Sequence, residues 1–291
     1  MTDELRGIFP IVYTPFNADG DIDEEDLHSL VDFLISAGAH GLAAVGGASE
    51  CHKLTLDERR WLAEATISVA AGRVPVIVGT SAENTRTSVI LSQHAEKVGA
   101  RAVFLTPPTY GPLDPRSIKY HYRVVAQSVS IPIMIQHALI PISANLMAEI
   151  AAECENVRFV KEESEASGHM ISEVLRLCRG RLSVFSGGSY LLDELARGAV
   201  GGIPGSMCVA DLSRAFDLWM QGDQIGARRV FNHALPLLYG RRPAPLLWAK
   251  EVLRRQGVIK GAYLREPAGA TLDEADRREI AAIMEMMGPP Y

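Results

Sequence analysis

Apolar residues fall into two alternating rhythms over roughly the first three quarters of the chain. Short runs at 7–16, 41–45, 74–78, 101–106, 132–137, 157–161, 182–185 and 200–203 are rich in strand-forming residues. Between them, apolar residues recur at helical spacing. Leu27, Leu30, Val31 and Leu34 share one face after Asp23, which reads as an N-cap, and Gly38 ends the pattern. Thr55 and Glu58 carry a capping-box signature for the next helix. A further helix is predicted to run to about residue 99, and another over 115–129. Eight strands spaced roughly 25 to 30 residues apart, with helices between them, predict parallel β/α units. Eight such units close a TIM (β/α)8 barrel; an open doubly wound sheet is the alternative. No GxGxxG follows the first strand, which counts against dinucleotide binding. After about residue 221 the strand pattern stops, and 224–238, 245–256 and 272–287 read as three helices. The expected division is a barrel with the active site over 1–223 and a C-terminal helical region over 224–291.

Composition narrows the partners. Of 291 residues, 47% are hydrophobic and 22% charged, with net charge −6. A negative chain is a poor match for nucleic acid or an acidic membrane surface. No apolar run is long enough to span a bilayer, and the start, MTDELRG, is acidic and lacks a signal-peptide core. A cytoplasmic location is therefore expected. Cys51, Cys154, Cys178 and Cys208 are far apart and form no CxxC or Cys/His cluster, so reduced thiols and no metal are expected.

In a barrel of this kind, chemistry sits at the C-terminal ends of strands and in the loops that follow. That filter selects Tyr13, Thr14, residues 46–50, Tyr110, Gln136, His137, Lys161, Glu162, 186–188 and 204–206. Of the six lysines (53, 97, 119, 161, 250 and 260), only Lys161 closes an apolar strand. Apolar walls disfavour the ammonium form, and a neutral amine attacks a carbonyl to make a Schiff base. The competing reading pairs Lys161 with Glu162 or Glu163 as an ordinary strand-end charge. Alternation places Lys161 and Phe159 on one face and Val160 on the other, but leaves open which face is interior.

Several segments resemble the dihydrodipicolinate synthase / N-acetylneuraminate lyase family of Schiff-base lyases. They are the opening FPIVYTPFNADGDID, the GGASE segment before LTLDER, the PPTYGP loop, VKEE around Lys161, and FSGG with the glycine-rich eighth strand. The resemblance implies a TIM barrel with a C-terminal helical extension. It also implies a covalent lysine imine with a small 2-oxo acid, no separate cofactor, and a homotetramer built as a dimer of dimers. Lys161 matches the imine-forming lysine. Residues 46–50 match a GTTGE-like loop that holds the substrate carboxylate, with Gly47 and Ala48 in place of its threonines. The backbone N–H groups remain, and such groups bind anions. The threonine hydroxyl relay is lost unless Ser49 takes over part of it; Glu50 is retained, either as a substrate contact or as a structural carboxylate. Thr109 or Tyr110 matches a tyrosine that reaches a neighbouring subunit's site. The family's proton-shuttling tyrosine in strand five is replaced by Gln136, which can hydrogen bond but cannot act as acid or base. His137 follows it on the opposite face and is expected among the substrate contacts, with Lys161, Gln136 and Tyr110 as the catalytic set. Gly187 and Pro204, at the ends of strands seven and eight, complete the expected substrate contacts. Residues 139–143 (LIPIS) lack the arginine that holds a second carboxylate in dihydrodipicolinate synthase.

These departures point to a dehydratase of 2-keto-3-deoxy sugar acids, such as 2-keto-3-deoxy-L-arabonate dehydratase, with Glu162, water or the substrate's carboxylate as base. The rival readings are a dihydrodipicolinate synthase or pyruvate-releasing aldolase, a degenerate barrel that binds a 2-oxo acid without chemistry, and a phosphate-binding isomerase using the glycines after strands seven and eight.

Overall fold

A computed structural model describes residues 5–188, 190–240 and 244–289; the acidic residues 1–4 at the chain start lie outside the described residues. Eight strands are present: β1 (Gly7–Ile8), β2 (Leu42–Ala44), β3 (Val76–Gly79), β4 (Ala102–Leu105), β5 (Ile133–His137), β6 (Val157–Glu162), β7 (Ser183–Ser186) and β8 (Gly201–Gly202). They pair in parallel in the order β1-β8-β7-β6-β5-β4-β3-β2. The remaining seam closes just beyond β1, where the Val12 N–H donates to the Ala43 carbonyl at 2.8 Å and the Ala43 N–H to the Pro10 carbonyl at 3.0 Å. The first strand is much shorter than the 7–16 stretch predicts. Pro10 and Pro15 have no N–H to give to a ladder, so this stretch continues as isolated bridges through Ile11.

Eight helices surround the ring: α1 (Glu24–Ser36), α2 (Leu56–Ala70), α3 (Thr85–Lys97), α4 (Pro115–Ala126), α5 (Ala144–Glu153), α6 (Ser167–Cys178), α7 (Leu191–Ala196) and α8 (Val209–Met220). Then follow α9 (Gln224–Gly240), α10 (Pro245–Arg255) and α11 (Glu274–Met287). Both predicted caps form. Asp23 accepts from the Asp26 N–H at 3.0 Å, and Thr55 and Glu58 exchange reciprocal bonds of 3.2 and 2.8 Å.

Two apolar clusters fix the orientation of every strand. Phe9, Ile77, Phe104, Met134, Phe159 and Phe185 belong to the one that fills the barrel. Phe185 meets Phe9 and Phe159 edge-on, with ring centroids 5.5 and 6.0 Å apart. Ile133, Ile135, Val160 and Val184 belong to the cluster that joins strands to helices. The alternation left open by the sequence is thereby resolved. Phe159 points inward, so Lys161 does too, and Val160 and Glu162 point outward. The glycines of β8 serve strand packing. A Cβ on Gly201 would lie 2.0 Å from the Gly7 carbonyl oxygen, a separation that no larger residue tolerates.

Candidate active site

The register of β5 and β6 sets the site. Gln136 lies opposite Lys161, and His137 opposite Glu162. Above Met134 and Phe159 the next inward positions are Gln136 and Lys161. Lys161 is 4% exposed and sits on an aromatic floor. Its Nζ lies 2.9 Å from Glu163 Oε1, and Gln136 Nε2 donates to Glu163 Oε2 at 2.9 Å. One carboxylate thus bridges the amine and the amide at the open end of the barrel. Such a carboxylate can take a proton from the lysine or from carbon bound beside it, while the amide holds it in place. In the sequence Glu163 stands out only as an ion-pair partner of Lys161, a pairing that forms, and not as a site residue. It stands two residues beyond Lys161, so strand alternation was the signal that identifies it.

The same alternation corrects two expectations. His137 and Glu162 project to the helix side, where His137 Nδ1 and Glu162 Oε2 are 2.7 Å apart and both residues are buried. Glu162 Oε1 accepts the Ser164 N–H at 2.8 Å. Neither residue is paired with Lys161; the two are paired with each other, and Glu163 takes the place beside the lysine. Nearby, buried Glu194 accepts from Ser167 Oγ at 2.5 Å and from Ser186 Oγ. Burial pushes its carboxyl above the usual range, against the pull of the two serine hydroxyls. Ser186 Oγ also accepts the Gly188 N–H at 2.7 Å, and the Gly187 N–H reaches the Glu162 carbonyl at 2.9 Å. These bonds seat the β7 end against β6.

Gly187 and Pro204 line a cavity of about 900 Å³ with Glu163, Gly188, Gly205 and the Arg228–Asn232 face of α9. The Tyr13 hydroxyl closes over its β8 side; a Cβ on Gly205 would lie 2.0 Å from that oxygen.

Residues 46–50 start from the same interior, since a Cβ on Gly46 would lie 3.1 Å from Ile11 and 3.3 Å from Phe104. Gly47–Ser49 form one 3-10 turn between two left-handed residues, Val45 (φ 60°) and Glu50 (φ 57°). A β-branched residue in that region is strained and needs surroundings that hold it. The turn's internal bonds use the N–H groups of Ser49, Glu50 and Cys51. Those of Gly47 and Ala48 have no acceptor among the described residues and are left for an anion. Ser49 Oγ donates to the Val12 carbonyl at 2.6 Å and accepts the Gly46 N–H at 3.1 Å, so its hydroxyl is engaged within the loop and does not replace the missing relay. Glu50 is a structural carboxylate rather than a substrate contact. Its oxygens meet Lys250 at 2.7 Å and Lys53 at 3.0 Å, and it is 1% exposed.

Tyr110 is 96% exposed and is not brought to Lys161 within this chain. Its loop is nevertheless anchored. Glu83 accepts from Thr109 Oγ1 at 2.6 Å and from the N–H groups of Thr109 and Tyr110 at 2.8 and 2.7 Å. Those donors, the Thr109 hydroxyl foremost, hold Glu83 below the usual carboxylate range. Among the described residues no three His, Cys, Asp or Glu side chains are grouped to hold a metal ion, and no helix is long and apolar enough to cross a membrane.

Known proteins match this architecture over nearly its whole length. The chain is 32% identical over 298 residues to the L-2-keto-3-deoxyarabonate dehydratase of Azospirillum brasilense, spanning 99% of this chain and 96% of that one. It is 32% identical over 272 residues to a 4-hydroxy-tetrahydrodipicolinate synthase of Legionella pneumophila, spanning 90% and 92%. Among solved structures, YagE of E. coli K12, described in complex with pyruvate, superposes with a TM-score of 0.91 at 26% identity, covering 97% of this chain and 98% of that one. The dihydrodipicolinate synthase of Aquifex aeolicus gives 0.90 at 27% identity, with 97% and 98% covered. The pattern of the Dihydrodipicolinate synthetase family matches residues 4–287. The chain is an enzyme that belongs to the Dihydrodipicolinate synthetase family.

Proposed function

We propose that this enzyme dehydrates a 2-keto-3-deoxy sugar acid through an imine on Lys161, with Glu163 moving the C3 proton. The observation that carries this reading is the Glu163 carboxylate shared by Lys161 Nζ and Gln136 Nε2, both at 2.9 Å. Glu163 draws a proton from the lysine, and the neutral amine attacks C2 of the substrate. Glu163 returns that proton to the carbinolamine hydroxyl, which leaves as water, and the imine forms with Glu163 again a carboxylate. The imine acidifies C3. Glu163 takes a C3 proton, the C3–C4 double bond forms, and the C4–O bond breaks. The departing hydroxide collects that proton from Glu163 and leaves as water, and hydrolysis of the imine frees the product and Lys161. The N–H groups of Gly47 and Ala48 receive the substrate carboxylate. Gln136 orients Glu163 but cannot itself relay a proton, so it offers the C4 hydroxyl no phenol to draw its proton for carbon–carbon cleavage.

Two further points support a sugar-acid substrate. The similar Azospirillum protein is named for this activity. Among the described residues lining the cavity, Glu163, Glu165 and Asp193 carry carboxylates outside the buried Glu162 and Glu194 clusters, against one guanidinium, Arg228. A second carboxylate on the substrate tail would be repelled there, whereas a neutral polyol would find acceptors. The second reading is 4-hydroxy-tetrahydrodipicolinate synthesis, which the names of several similar proteins favour. In either case we expect a cytoplasmic homotetramer in which Tyr110 meets a neighbouring chain.

The test is product analysis with a single substrate. With 2-keto-3-deoxy-L-arabonate the enzyme should release water and a 2-oxo acid with the carbon chain intact. Release of pyruvate instead would establish the aldolase. Condensation of pyruvate with aspartate semialdehyde would establish the synthase.

A further inference from the structure

A second buried charge cluster stands at the same end of the barrel and takes no part in the reaction just described. Lys250 on α10 is fully buried. Its Nζ donates to the Thr14 carbonyl at 2.8 Å, Glu50 Oε1 at 2.7 Å and the Tyr263 carbonyl at 2.7 Å, which uses all three of its protons. The ammonium also lies 4.7 Å from the centre of the Phe16 ring. The other Glu50 oxygen accepts from Lys53 Nζ at 3.0 Å and the Arg265 N–H at 3.2 Å, and Lys53 reaches the Arg265 carbonyl at 2.9 Å. Arg265 meets Glu58 at 2.6 Å and the Gly20 carbonyl at 2.9 and 2.6 Å. Burial lowers Lys250 to about 8 against the raising effect of Glu50, so it remains charged at neutral pH.

The cluster ties three separate stretches together: the loop after β1, the 46–50 turn with the start of α2, and the segment after α10. Glu50 closes the turn that presents the Gly47 and Ala48 N–H groups, and it does so in a left-handed conformation that its side-chain partners must maintain. Without them the residue relaxes toward ordinary backbone angles and the turn moves with it. We propose that Lys250 is a positioning residue which, through Glu50, sets the 46–50 turn to receive the carboxylate of a 2-oxo acid. The C-terminal region is then part of the substrate-binding apparatus. This inference rests on the proposed imine at Lys161 and on the turn as its carboxylate site.

The experiment compares two carbonyl probes on the full-length enzyme, pyruvate and acetone, which differ in the carboxylate. Each is trapped on the enzyme with cyanoborohydride, and the labelling rate of Lys161 is followed by mass spectrometry. The wild type should favour pyruvate strongly. Lys250→Met should label with acetone at the wild-type rate and lose at least tenfold of its preference for pyruvate. The double variant Lys250→Met/Glu50→Gln removes both buried charges, so it provides a folded protein if the single variant aggregates, and the same loss is expected. A folded variant of either kind whose pyruvate-to-acetone ratio stays within twofold of wild type would overturn the role of Lys250 alone. No adduct on Lys161 in the wild type with either probe would overturn the imine reading and this proposal with it.

Discussion

Lys161 and Lys250 are both buried, and both face a glutamate within 3 Å, yet they are built for opposite ends. Lys250 has three short hydrogen bonds from three segments of the chain and an aromatic ring beside it. Nothing is left on its nitrogen for an incoming molecule. Lys161 has one ion pair among the described residues, to Glu163, whose carboxylate is also held by Gln136. The Glu163 of that pair lines an open cavity, whereas Glu50 is closed inside its cluster. Burial by itself therefore says little about whether a lysine reacts. What separates the two is how many of the nitrogen's protons the fold already uses, and whether its partner can accept one.

The sharpest way to break this contrast is Lys161→Arg. Arginine preserves the pairing with Glu163 but cannot become a nucleophile, so both the reduced adduct and turnover should vanish, a loss on the order of 10⁴ or more. An active variant, or an adduct mapped to Lys250 or Lys53, would reverse the assignment of the two lysines. Next comes Glu163→Gln, which keeps the size and some hydrogen bonding but removes the base. Single-turnover kinetics should show the dehydration rate falling by about 10² to 10⁴ while borohydride labelling of Lys161, slower than in the wild type, still goes to completion. A drop of less than threefold would assign the proton transfer elsewhere. At the other lysine the effect should appear as stability. Lys250→Met leaves the buried Glu50 Oε1 without a partner, with Lys53 alone offsetting the charge, and should cost about 3 kcal/mol by urea denaturation; adding Glu50→Gln should recover part of it.

His121 sharpens the comparison as a buried base without a carboxylate partner. Its Nδ1 lies 2.9 Å from Thr85 Oγ1, its Nε2 has no partner among the described residues, and burial lowers it from 6.5 to about 4. The unfolded chain binds a proton in that interval and the folded chain does not. Stability is thus fully present above pH 6.5 and is lost as the pH falls toward 4, by about 3 kcal/mol. The acid limb of a stability–pH profile should flatten in His121→Gln, and an unchanged limb would mean that other groups govern acid unfolding.

Much of this is readable from residues alone, and most of what is not depends on contacts distant in sequence. The strand rhythm, the Asp23 and Thr55 caps and the position of Lys161 at a strand end depend on neighbours close in sequence. The role of Glu50 does not, because Lys250 lies 200 residues away. The inward direction of β6, which separates Glu162 from Glu163, depends on Phe159 packing against Phe185 of the neighbouring strand in the barrel interior. The first strand was overextended because its apolar residues masked the missing N–H groups of Pro10 and Pro15. Tyr110, nearly all of it exposed, is a position whose contacts one chain cannot define.

The alternation along β5 and β6 also bears on how such an enzyme changes its chemistry over generations. Gln136 and Lys161 hold Glu163 on the inner side of the strands, while His137 and Glu162 pair with each other and Glu194 ties Ser167 to Ser186. Adjacent codons therefore fall under different selection. A lineage can exchange Gln136 for a phenol, or reshape the reach of residue 163, and leave the His137–Glu162 pair intact. New substrates become accessible one inward residue at a time, without each trial passing through an unfolded intermediate.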